Sequence, residues 1–178
     1  MILPDKCVVD TNVPKTANLA IQPDSGSDVS PECVGKCIEA IEHVIRNRAL
    51  VIDSGNEIFD EYRRQLNMSG APNVGDKFMK WVHTQRWKLP DSHRVEITKN
   101  GDSYDEFPNH KDLTNFDPSD RKFVAVANAH SSRKKPSILQ ATDSKWWGWR
   151  DALEEEGIHV HFVCPEYAEA TYKKKMGR

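Results

Sequence analysis

A chain of 178 residues with 38% apolar content is enough for one globular core and too short for several. Its 25 basic residues against 27 acidic ones leave a formal charge of −2, which excludes a protein that coats nucleic acid through bulk positive charge. Aliphatic runs such as Ala49–Ile52 fall far short of a spanning helix or a signal-peptide core, so no membrane contact is expected. Four cysteines, Cys7, Cys33, Cys37 and Cys164, are too few for a disulfide scaffold, and a reduced, cytoplasmic protein is expected.

Cys7-Val8-Val9 reads as a buried strand ending at Asp10, and the polar stretch Thr11–Ser30 as loop with a short helix. The next helix has the clearest signals. Ser30 can cap it, Pro31 suits its first position, and Val34, Cys37, Ile38, Ile41, Val44 and Ile45 form one apolar stripe. Leu50-Val51-Ile52 follows as a second buried strand. Ser54 and Glu57 have the spacing of a capping box, which starts a helix whose buried face carries Ile58, Tyr62 and Leu66.

A further helix is expected over about 75–87, and a short strand at Val95–Thr98. Asn100 to Asn115 is polar and reads as an exposed insertion. Asp117-Pro118-Ser119-Asp120 starts a helix carrying Phe123, Val124 and Ala127. Ile138-Leu139 is a strand reaching Asp143, and a helix around Trp146–Glu156 stops at Gly157. Val160–Val163 is the last strand. One domain over 1–165 and a basic tail over 166–178 are therefore expected. Strand–helix–strand units with short connections imply a parallel sheet with helices on both faces.

Three strands run into aspartate, at Asp10, Asp53 and Asp143. Carboxylates at strand carboxyl ends face the cleft where open α/β sheets bind ligands. Asp53 abuts Ser54 and reads as part of that turn. Glu61 and Asp120, on later helices, can meet Asp10 and Asp143 in the cleft. Four crowded carboxylates repel one another unless cations neutralise them, and hard oxygen donors select Mg²⁺ or Mn²⁺. Such a cluster suits metal-assisted attack of water on a phosphodiester.

These residues resemble the PIN-domain nucleases. Val8-Val9-Asp10-Thr11-Asn12 is similar to that family's opening motif and Glu61-Tyr62 to its acidic helix position. Asp120 with Ala127 resembles its third motif, and Ala141-Thr142-Asp143-Ser144-Lys145-Trp146 its fourth, with Ser144-Lys145 where many members carry a second acid. The resemblance implies a three-layer α/β/α fold around a parallel sheet of about five strands in the order 3-2-1-4-5, Asp10 lying beside Asp143. It further implies endonucleolytic cleavage of single-stranded RNA, with structured RNA or DNA as wider alternatives, through Asp10, Glu61, Asp120 and Asp143 as metal ligands. The insertion exceeds what a minimal PIN toxin needs, which sets an antitoxin-type protein partner behind RNA.

Asn12, Ser54 and Thr142 are the candidate orienting residues: Asn12 by bonding Asp10 or a bound water, Ser54 by offering a hydroxyl besides its cap, Thr142 by fixing a strand end. Arg63-Arg64 and Arg133-Lys134-Lys135 are the basic patches available to a phosphate backbone. Cys33 and Cys37 sit one helical turn apart and read as core residues, as does Trp146. Gly70–Lys77 is a near miss to a phosphate-binding loop, with Asp76 at the lysine position. Two other classes remain open: a PIN-like module that binds RNA or protein without cutting, and a Mg²⁺-dependent phosphohydrolase. The latter usually needs a second acid two residues after its nucleophile, where Asn12 stands.

Overall fold

The computed structural model, which describes residues 1–21 and 27–177, opens on a fully buried strand, β1 (Cys7–Val9). Positions 22–26 of the expected Thr11–Ser30 loop, and Arg178 of the tail, lie outside the described residues. Helix α1 (Asn12–Asn18) follows at once and buries Val13 and Ala17. Helix α2 (Pro31–Asn47) starts as its sequence dictates: Ser30 Oγ accepts the Cys33 amide at 3.2 Å, and Pro31 needs no partner for a first-turn N–H. Its buried stripe includes Cys33, Val34, Cys37, Ile41 and Val44.

Strand β2 (Ile52–Asp53) leads into helix α3 (Glu57–Gln65) through a turn in which Asn56 takes a left-handed φ of 68°. The expected cap on Ser54 is not formed. Asp53 does that work instead, accepting the Glu57 amide at 2.7 Å and the Ile58 amide at 2.9 Å, because its charged carboxylate reaches two orphan donors at once. Helix α4 (Val74–Gln85) approaches α1 so closely that a Cβ on Gly75 would stand 2.1 Å from the Pro14 carbonyl oxygen. That packing need accounts for the glycine that gave the segment its phosphate-loop look.

Strand β3 (Arg94–Val95) is shorter than the Val95–Thr98 expectation. The insertion is a hairpin, β4 (Lys99–Asn100) and β5 (Ser103–Tyr104), followed by irregular chain. It is not simply exposed: Tyr104 and Leu113 are buried and Phe107 packs on the core, anchoring a polar segment by a few large apolar groups. A 3₁₀ turn at Pro118–Asp120 opens helix α5 (Arg121–Ala129), most of which is buried.

Strand β6 (Ser137–Gln140) then leads to helix α6 (Lys145–Glu155), which stops before Gly157 at φ 70°. Strand β7 (Val160–Phe162) precedes helix α7 (Pro165–Lys175), so the basic tail is helical over most of its length. Its lysines, Lys173 to Lys175, complement the helix carboxyl end. An added Cβ on Gly148 of α6 would meet the Tyr172 ring of α7 at 2.7 Å, which measures how closely the two pack.

Mixed α/β architecture with a parallel sheet is as expected. Strand β6 lies between β1 and β7, all parallel, with Val9 opposite Leu139 and Leu139 opposite His161. Strands β2 and β3 form a separate parallel pair. A parallel bridge between Cys7 and Leu50 stands between the two groups, where the Cys7 amide donates to Ala49 O at 2.9 Å and the Val51 amide to Cys7 O at 2.8 Å. Among the described residues no helix is long and apolar enough to cross a membrane.

Cysteine usage departs from expectation. Cys33 of α2 and Cys164, the residue before α7, form a disulfide across 131 positions of sequence. Closing so long a loop restricts the unfolded chain by on the order of 4–5 kcal/mol. Cys7 and Cys37 are free and buried, Cys37 in the core as expected.

Candidate metal centre

Asp10 follows β1 directly, so its carboxylate sits at the strand's carboxyl end, almost fully buried, with Oδ1 accepting the Asn12 amide at 2.9 Å. Tyr62 of α3 holds that strand end from below, donating its hydroxyl to Val9 O at 2.5 Å. Asn12 ties β1 to β6: its Oδ1 accepts the Ala141 amide at 2.8 Å and the Thr142 amide at 3.3 Å. The orienting role expected of Asn12 is thus a bond between two strand ends.

Asp10, Glu61, Asp120 and Asp143 all line one cavity of about 830 Å³, together with Asn12 and Thr142. Ser54 does not line it; its hydroxyl donates to Val95 O at 3.4 Å, on the β3 side. Lys15, Arg64 and Lys99 supply positive charge to the lining. The Arg133–Lys135 patch is elsewhere: Lys135 Nζ donates to Asn128 Oδ1 at 2.6 Å and Glu156 O at 2.7 Å.

Each acid is held differently. Glu61 accepts the Thr11 hydroxyl on Oε1 at 2.6 Å and pairs through Oε2 with Lys122, whose ammonium also donates to Ser119 O. Both Glu61 oxygens are therefore committed. Asp120 Oδ2 accepts the indole N–H of fully buried Trp146 at 3.2 Å, so this core tryptophan also orients a site acid. Asp143 Oδ1 accepts the Lys145 amide at 3.0 Å, in the turn that opens α6. Glu57, expected to close a capping box with Ser54, accepts the Tyr104 hydroxyl at 2.8 Å instead.

The electrostatics are those of crowded like charges. Burial, then the charges of Asp120, Glu61 and Asp143, push the Asp10 carboxyl well above the usual range, against the Asn12 amide, which lowers it. Burial and the Asp143 charge push Asp120 up to about 6, with Trp146 opposing. Even so, no three of these carboxylates bring their oxygens within 4.8 Å of one another; among the described residues only Cys33, Cys37 and Cys164 form so tight a group of metal-binding atoms.

Sequence reasoning missed Lys122. A lysine two residues past Asp120 looks like solvated helix surface, yet its side chain is only 8% exposed and enters the acidic cavity. It also missed Lys15, Lys99 and Tyr104, which the α1 turn and the β4–β5 hairpin bring to the site. The chain matches no family model, no curated protein and no solved structure.

Proposed function

We propose that this chain is a PIN-like, divalent-metal-dependent endoribonuclease that hydrolyses phosphodiester bonds of single-stranded RNA. The observation that carries the reading is the meeting of Asp10, Glu61, Asp120 and Asp143 in one cavity lined also by Lys15, Arg64 and Lys99. The donor set suits Mg²⁺ or Mn²⁺: hard carboxylate oxygens, with Asp10 and Asp120 held off ionisation by burial and then by their neighbours' charge until a cation compensates them. On the same reading β3 and β2 would extend the β1-β6-β7 sheet to five strands in the 3-2-1-4-5 order, as the middle of three layers; the isolated Cys7–Leu50 bridge, just before β2, supports it.

Asp10, Asp120 and Asp143 would hold the ion, which when bound supplies Lewis acidity toward the phosphate and lowers the pKa of water. Glu61, with both oxygens already engaged, orients rather than ligates. Asn12 keeps Asp10 and Asp143 in mutual register by pinning the ends of β1 and β6. Lys15, Arg64 and Lys99 hold the nucleic-acid backbone over the acids, and a net acidic chain depends on such local patches.

Incubation with labelled RNA, labelled DNA and a small phosphate ester, each with Mn²⁺ or with chelator, tests the reading. Cleavage of RNA that chelator stops is the expected result. RNA bound but never cut makes the chain a binding module, and turnover of the ester alone makes it a phosphohydrolase.

A further inference from the structure

Cys37 stands against the Cys33–Cys164 disulfide, with the ligand atoms of all three residues within 4.8 Å of one another and all three side chains buried. A structural crosslink needs two sulfurs; the third gives the cluster a different chemistry. None of the three lines the acidic cavity, so their convergence owes nothing to the site described above. We propose that, once the disulfide is reduced, Cys33, Cys37 and Cys164 form a thiolate site that takes one Zn²⁺ ion.

Cys33 and Cys37 lie one turn apart on the buried stripe of α2, and Cys164 is the residue that opens α7. Thiolates around tetrahedral zinc sit about 3.8 Å apart, given Zn–S bonds of about 2.3 Å. The three sulfurs already lie within 4.8 Å of one another, so reaching that spacing asks for shifts of about an ångström or two, chiefly the separation of the two bonded sulfurs. Soft sulfur donors select zinc over the hard cations suited to the carboxylates. Three buried thiolates are untenable without a cation; a divalent ion offsets two of the three charges. Cys33 stands in the first turn of α2 and Cys164 caps α7, so the remaining charge lies at two helix N-termini, where anions are favoured.

The chemistry balances in two steps. An external dithiol delivers two electrons and two protons, the Cys33–Cys164 bond breaks to two thiols, and the dithiol leaves as its own disulfide. Zn²⁺ then gains three Zn–S bonds and three thiol protons go to solvent. Crosslink and metal site are therefore mutually exclusive states of the same residues.

Cd²⁺ titration of the reduced full chain tests this, read by the ultraviolet thiolate-to-cadmium charge-transfer band, which carboxylates do not produce. One Cd²⁺ per chain is expected, displaced by Zn²⁺, with no band in the oxidised protein. Cys37→Ser and Cys37→Ala are both expected to lose the band while still closing the Cys33–Cys164 disulfide on air oxidation, which also reports that they fold. A reduced wild type without the band, a Cys37 variant that keeps it, or equal binding by oxidised protein overturns the proposal.

Discussion

Lys122 pairs with Glu61 inside the acidic cavity, both side chains largely shielded from solvent, so one of the four acids carries its own cation. Removing one partner of a buried pair leaves the other uncompensated, at a cost of about 3–5 kcal/mol. Lys122→Met is expected to lower metal-free stability by about that amount, and Mn²⁺ to restore part of it. Urea unfolding with and without Mn²⁺ measures both; unchanged metal-free stability would show that Glu61 does not depend on Lys122.

Asp10→Asn is expected to abolish RNA cleavage while the circular dichroism spectrum stays unchanged. Asparagine keeps an oxygen for the Asn12 amide and removes only the charge that Asp120, Glu61 and Asp143 oppose. For the same reason Asp10→Asn and Asp143→Asn should raise the melting temperature without metal and shrink the stabilisation that metal gives. Wild-type cleavage by purified Asp10→Asn would end the acidic-site reading.

The raised Asp120 carboxyl sets a pH dependence. Between the unfolded carboxylate range near 4 and its folded value of about 6, the folded state binds more protons than the unfolded one, so stability falls as pH rises. Metal-free melting temperature should therefore decline from about pH 4 to 6, and less steeply in Asp120→Asn. Equal slopes would place the titration on another group.

Trp146→Phe keeps an aromatic ring against Phe116, 5.0 Å between centroids, and deletes the N–H that Asp120 Oδ2 accepts. Asp120 should then ionise at higher pH than in the wild type. Mn²⁺ affinity measured against pH is expected to shift upward correspondingly; an unshifted profile would make the indole bond irrelevant to the site.

Lys99→Ala and Arg64→Ala should each weaken RNA binding and flatten its salt dependence by about one phosphate contact. Lys134→Ala, outside the cavity lining, should leave both unchanged.

Local signals were enough for much of the chain. The Ser30–Pro31 start of α2, the stop at Gly157, the buried strand ending at Asp10 and the placement of Trp146 in the core all follow from residue chemistry within a turn or two. Asp10 and Asp143 after strands and Asp120 at a helix opening were legible because topology sends those positions to one edge, whereas Glu61 lies in the middle of α3. What the tertiary structure alone decided depends on partners far apart in sequence. Asp53 took the cap from Ser54 because β2 ends where its carboxylate meets two free amides, a matter of backbone path that spacing does not encode. Lys122 became interior only because Glu61, on another helix, waited there to compensate it. Cys33 found Cys164 across 131 residues, and the polar hairpin reached the site because Tyr104 and Leu113 found room in the core. Periodicity reports which face of an element is buried; which charge or sulfur it meets there is set by long-range packing.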